Sequence, residues 1–170
     1  KALADFLVCK AVCAVVSTNY DDLIESSARK NGADLNSSVD GDEANINSRH
    51  YSPLLKLHGC GRRNRDNTVW AKSQLTSNPD IKSRISNSKQ WLTTKLREKD
   101  LLIIGFWSDW SYLNEILGSV FTNVTPLSIT IVDPSLTTDL KAKAPELWAK
   151  TNSEGVVFNH IQESGTEILE

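Results

Sequence analysis

The sequence predicts an α/β fold, a Rossmann-like three-layer arrangement on a mostly parallel sheet. Short β-branched and aliphatic runs alternate along the chain with segments whose apolar residues recur at helical spacing. Alternation of this kind builds βαβ units, which lay helices over a parallel sheet. In addition, several of the apolar runs break abruptly into polar residues. The sharpest case is Val15-Val16-Ser17-Thr18-Asn19-Tyr20-Asp21-Asp22, and Leu54-Leu55-Lys56-Leu57-His58-Gly59 repeats the pattern. In open α/β sheets, ligands bind outside the carboxyl ends of the strands, so these breaks are candidate sites.

Taken in order, Ala2 to Lys10 is helix-compatible and Val12 to Val16 reads as a strand. Asp21 or Asp22 can cap a helix over Leu23 to Lys30, which Asn31-Gly32 stops. Ala33 to His50 is rich in Asn, Ser and Asp without an apolar period. It reads as a long loop, either a surface excursion or a lid. Leu54 to Leu57 is a short strand. Arg62, Arg63 and Arg65 follow in a polar loop, where a solvated role is preferred over a phosphate contact.

The clearest helix begins at Asn78, with Pro79 at its first position and Asp80 at its positive end. Ile81, Ile85, Leu92 and Leu96 repeat along it, Trp91 lies beside them, and Lys95, Arg97 and Lys99 gather at its end. Leu101 to Phe106 is the strongest buried-strand signal. Leu113, Ile116, Leu117, Val120 and Phe121 mark another helix. Leu127 to Val132 is a strand stopped by Asp133-Pro134. Ser135 caps a helix containing Leu136 and Leu140, and Gly155 to Phe158 is a fifth strand. No repeat or low-complexity linker divides residues 1–170, which read as a single domain.

The 170 residues are 39% hydrophobic and 24% charged, a globular composition. A net charge of −2 gives no electrostatic case for nucleic acid or an anionic membrane. No apolar stretch is long enough to span a bilayer, and no secretory leader opens the sequence. Three cysteines are too few and too odd for a disulfide framework, so a reducing, cytoplasmic setting is expected. Cys9 and Cys13, four apart, would share a helix face and read as small buried hydrophobes, not metal ligands. No metal is expected. The sequence lacks methionine and begins in helix-compatible residues, so it reads as part of a longer protein. Other domains of that protein, or further copies of it, are the expected macromolecular partners.

In a parallel sheet, Ser17 to Asp21, His58-Gly59, Phe106 to Asp109 and Asp133 all emerge at one edge. An amide, carboxylates, hydroxyls and an imidazole would then share one crevice. Each alone has a bland reading: an Asx residue after a strand is usually a turn or cap, and a histidine there is more often structural than catalytic. Their coincidence is the stronger signal. His50 and His160 attract no functional claim.

The elements STNYDDLIE, KLHG and LLIIGFWSDW, each at a strand end, resemble the sirtuin-like NAD-dependent domains. The resemblance covers roughly Val12 to Pro134. It is closest to the zinc-free bacterial members found in antiphage defence proteins. It implies a Rossmann-type fold that binds NAD and cleaves the nicotinamide–ribose bond. By position, Asn19 would be the catalytic amide, Asp21 would orient the nicotinamide, and His58 would be the general base. Ser17, Thr18, Gly59, Gly105, Ser108, Asp109 and Asp133 would line the cofactor groove, Asp133 at the adenosine ribose. NAD is the expected substrate.

This sequence departs from the family in several places. No glycine precedes Gly32, so the family's first strand and its glycine-rich phosphate loop are expected to be missing. The Cys-x-x-Cys zinc module and an acyl-lysine pocket are also missing, which favours NAD hydrolysis over deacylation. Trp107 and Trp110 stand where the family commonly has smaller residues; they can stack on a base or pack, and packing is preferred. A non-catalytic nucleotide-binding or assembly module is the alternative function. A Rossmann oxidoreductase is disfavoured by the lack of any G-x-G-x-x-G element.

Overall fold

The computed structural model describes residues 1–47, 49–63, 65–105, 111–134 and 140–169. They form a mixed α/β fold of the Rossmann-like kind in which every strand pairing is parallel. Packing divides the chain into two compact units, Lys1–Trp91 and Leu92–Glu170.

The first unit opens with α1 (Ala2–Val8). This helix is shorter than its sequence suggests because Lys10 adopts a positive φ of 57°. The Ala11 N–H then closes back onto the Phe6 carbonyl at 2.9 Å, a left-handed helix stop. Cys9 and Cys13 therefore lie beyond the helix, and both are exposed. That corrects the expectation that they are buried on one helix face.

Strand β1 (Val15–Ser17) starts where the Val15 N–H meets the Pro53 carbonyl. Helix α2 (Leu23–Lys30) has the expected bounds, with Gly32 at φ 78° behind it. Strand β2 (Ser37–Ser38) and helix α3 (Gly41–Asn47) follow, and then β3 (Leu54–Lys56). The sheet order is β1-β3-β2, with Ser17 opposite Lys56 and Ser38 opposite Leu55.

The polar stretch from Ala33 is thus not a long loop. Its few apolar residues are spaced without a period, yet Ala33, Leu35, Val39 and Ala44 are all buried. The Asp40 carboxylate accepts the Asp42 N–H at 2.8 Å and opens α3. Helix α4 (Gln74–Ser77) follows, and then the long α5 (Pro79–Leu96), which belongs to this unit as far as Trp91. Asn78 caps α5 as expected, accepting the Asp80 and Ile81 N–H groups at 2.9 and 3.2 Å.

Helix α3 approaches α5 through Gly41. A Cβ there would lie 2.6 Å from both the Asn87 carbonyl oxygen and the Trp91 Cβ. Gly41→Ala is therefore expected to destabilise the protein by about 1–3 kcal/mol. Chemical denaturation checks this, and an unchanged midpoint would contradict the close packing.

In the second unit, β4 (Asp100–Ile104), β5 (Ser128–Val132) and β6 (Val157–Ile161) pair in that order. Helices α6 (Ser111–Asn123), α7 (Leu140–Lys143), α8 (Pro145–Thr151) and α9 (Gly165–Leu169) accompany them. Ile103, Ile129 and Ile131 pack with Val120, Phe121, Leu140 and Leu147 to form the core. The expected buried character of β4 is corrected, since only Ile103 of its five residues is buried and Leu102 is 54% exposed. One sheet face meets the core helices while Leu102, on the other, stays open to solvent. Strand β6 runs on through Asn159 and His160 because its residues are largely exposed, so polar side chains do not end it. Phe106 to Trp110 and Ser135 to Asp139 lie outside the described residues.

Candidate active site

In the first unit the parallel register sets the ends of β1 and β3 side by side. The Ser17–Lys56 pairing leads directly into Thr18-Asn19 on one strand and Leu57-His58 on the other. His58 is buried, 5% exposed. Its Nδ1 lies 2.7 Å from the Thr18 carbonyl oxygen. A carbonyl only accepts, so Nδ1 carries the proton and donates it, which leaves the lone pair on Nε2 of the neutral ring. Burial pushes the imidazole pKa below its ordinary 6.5. The Thr18 hydrogen bond opposes that shift, and the positive charge of Arg84 adds to it. The ring is held neutral near pH 7, the form in which it can accept a proton.

Tyr20 stacks on His58 with ring centroids 5.2 Å apart and planes 23° apart. Trp70 stacks on Tyr20 at 5.4 Å and 6°. The Tyr20 hydroxyl donates to the Val69 carbonyl at 2.9 Å, and burial raises its pKa. Asn19, between Thr18 and Tyr20, is exposed, and its backbone N–H donates to Ser17 Oγ at 3.2 Å. The residues on both sides of Asn19 thus contact His58, while Asn19 itself faces solvent.

The glycine after His58 has a structural cause. Gly59 sits at φ 90°, and a Cβ there would lie 2.8 Å from Thr68 Cα. Only glycine allows the chain to turn this tightly, which lets the Val69 N–H reach the His58 carbonyl at 2.7 Å.

Asp21 is engaged in structure. Its carboxylate accepts the Leu23 N–H at 3.1 Å and so starts α2. Its carbonyl oxygen accepts from the Lys56 ammonium. Lys56 and Glu25 form an ion pair at 3.5 Å with both side chains 0% exposed. Ser37 donates to the same Glu25 carboxylate at 2.6 Å. Beneath the site, Arg84 donates to the Leu57 carbonyl at 3.2 Å and to the Asn67 carbonyl. Sequence reasoning missed Lys56, Glu25, Arg84 and Trp70. A lysine inside the apolar run Leu54 to Leu57 was the one signal that could have pointed to a buried partner.

In the second unit, Gly105 and Asp133 follow the paired residues Ile104 and Val132. Gly105 has φ 61°, and its N–H donates to the Val132 carbonyl at 3.2 Å. Asp133 is buried, and its carbonyl accepts a hydrogen bond from His160 Nε2 at 3.0 Å. The second sheet therefore brings Gly105 and Asp133 to one carboxyl edge, as the first brings Ser17, Thr18 and Asn19 beside His58 and Gly59. Ser108, Asp109, Trp107 and Trp110 lie outside the described residues. Arg62, Arg63 and Arg65 are exposed; Arg62 pairs with Asp22 at 3.4 Å.

Among the described residues, no group of three or more His, Cys, Asp or Glu side chains could hold a metal ion, and no helix is long and apolar enough to cross a membrane.

A family model described as a SIR2-like domain matches residues 13–154, most of the chain and parts of both units. The chain belongs to this family. SIR2-like domains bind NAD, so NAD-related chemistry is the function class of this SIR2-like chain. No curated protein matches it.

Proposed function

We propose that this SIR2-like chain binds NAD across its strand ends and, in the full-length protein, hydrolyses it to nicotinamide and ADP-ribose. The observation that carries the reading is the buried His58 imidazole, donating from Nδ1 to the Thr18 carbonyl beside exposed Asn19. The Nε2 lone pair accepts a proton from a ribose hydroxyl or from water. The Asn19 amide offers a donor and an acceptor without adding charge, and so can position the attacking water. Water adds to the ribose carbon as the carbon–nitrogen bond breaks, and nicotinamide leaves as a neutral base with the bonding electrons. The leaving group needs no strong acid, which suits a site whose titratable centre is a neutral imidazole.

Gly59, Ser17 and Thr18 flank the reacting end. Gly105 and Asp133, with Ser108 and Asp109, are assigned to the nucleotide groove, Asp133 to the adenosine ribose. Residues 1–170 are read as one domain of a cytoplasmic protein, acting in antiphage defence and gated by other domains or copies.

A non-catalytic nucleotide-binding module is the competing reading. One observation favours it: the Asp21 carboxylate is taken up by the start of α2. Calorimetric titration of the full-length protein with NAD and with ADP-ribose, run beside a nicotinamide-release assay, separates the two. Binding with release supports hydrolysis, and binding without release supports the module. No binding of either ligand overturns both.

A further inference from the structure

The Nδ1–H bond to Thr18 holds one edge of the His58 ring. Tilting of an imidazole about such a bond swings its Nε2 lone pair. Tyr20 opposes that tilt, since its ring lies against the imidazole face, 23° from parallel.

Tyr20 is itself gripped from three directions. Its other neighbour is the Trp70 ring, 6° from parallel. Its hydroxyl donates to the Val69 carbonyl at 2.9 Å, and its own carbonyl accepts the Gly61 N–H at 3.0 Å. The Val69 N–H in turn holds the His58 carbonyl at 2.7 Å, so one residue braces both Tyr20 and His58. Gly61 leaves room for the outer ring, since a Cβ there would lie 3.1 Å from the Trp70 indole. Trp70 is 52% exposed, more than a ring serving only the core would be. Its indole N–H donates to the Arg65 carbonyl at 3.3 Å, and its backbone N–H donates to Gln74 Oε1 at 2.7 Å.

We infer that Tyr20, backed by Trp70, is a positioning residue for His58, fixing the imidazole plane so that Nε2 is aimed away from the Thr18 carbonyl. The inference rests on the reading of His58 as the base. Arg84 and the Tyr20 phenol both face His58. Neither can take up the proton: a guanidinium is already charged, and Tyr20 has its pKa raised by burial.

The test uses the intact protein labelled with 15N-histidine, comparing wild type with Tyr20→Ala, Tyr20→Phe and Trp70→Ala; His58→Gln assigns the imidazole signals. Wild type shows the Nδ1-protonated tautomer of His58. Tyr20→Ala mixes the tautomers, moves the acid limb of the nicotinamide-release profile, and lowers kcat roughly tenfold at nearly constant KM. Tyr20→Phe keeps the ring and the wild-type tautomer. Trp70→Ala removes a surface ring and gives the Tyr20→Ala change at smaller amplitude, which keeps the test open should Tyr20→Ala fold poorly. Unchanged His58 15N shifts and an unchanged pH profile in Tyr20→Ala and Trp70→Ala overturn the positioning role. Undiminished release in His58→Gln would overturn the reading of His58 as the base instead, while a mixed tautomer in Tyr20→Ala would still uphold the brace.

Discussion

Lys56→Met is expected to lower the unfolding free energy by about 3–5 kcal/mol. Lys56 and Glu25 are both fully buried and lie 3.5 Å apart, so neither charge has water to fall back on. Removing the ammonium strands a carboxylate in a medium where an unpaired charge is very costly. The carboxylate keeps the Ser37 hydroxyl at 2.6 Å, and the Asp21 carbonyl loses its ammonium donor and keeps the Cys60 thiol at 3.9 Å. The loss therefore reaches the loop that carries Asn19 and Tyr20. Glu25→Leu alone should be similarly harmful. The double variant Lys56→Met with Glu25→Leu should recover most of the stability, because replacing a whole buried pair with apolar groups is often neutral. Urea denaturation of the four proteins checks this. Single variants as stable as wild type would show that the pair is not buried as described.

His58→Ala is expected to lower the rate of nicotinamide release by roughly a hundredfold to ten-thousandfold, the span typical of a lost general base. Asn19→Ala should cost on the order of a hundredfold, comparable to losing one preorganised hydrogen-bonding group. The two differ structurally. Asn19 is exposed, and its structural contact runs through its backbone N–H, so removing its side chain should leave stability unchanged. His58 is buried under Tyr20, so His58→Gln, which keeps a polar group near Thr18, is the gentler companion variant. Binding of ADP-ribose should survive in each. Release at the wild-type rate in both Asn19→Ala and His58→Ala would remove the two residues from the chemistry.

Much of the framework is legible in the sequence because local rules act alone there. Asn78-Pro79-Asp80 opens α5 by capping, and Leu23 to Lys30 forms α2 between its cap and Gly32. The pairing of the β1 and β3 ends follows from parallel topology, and it delivers Thr18 to His58 as expected. The stretch after Ala33 misleads because α3 is held by tertiary contacts, with Gly41 against α5 and isolated Val39 and Ala44 buried, not by an apolar stripe of its own. Cys9 and Cys13 mislead because Lys10 takes a left-handed turn usually given to glycine. The buried Lys56–Glu25 pair and the Tyr20–Trp70 stack join residues 31 and 50 positions apart, and no local pattern reports a contact of that kind.

The pH dependence of nicotinamide release by the full-length protein is the sharpest probe of His58 as the base. A base must be unprotonated to work, and burial lowers the His58 pKa below 6.5. Release should therefore hold a plateau from neutral pH down past 6.5, then fall as the pH drops through the lowered pKa. His58→Gln should abolish that acid limb. No release at any pH, or an acid limb that persists unchanged in His58→Gln, would contradict the account.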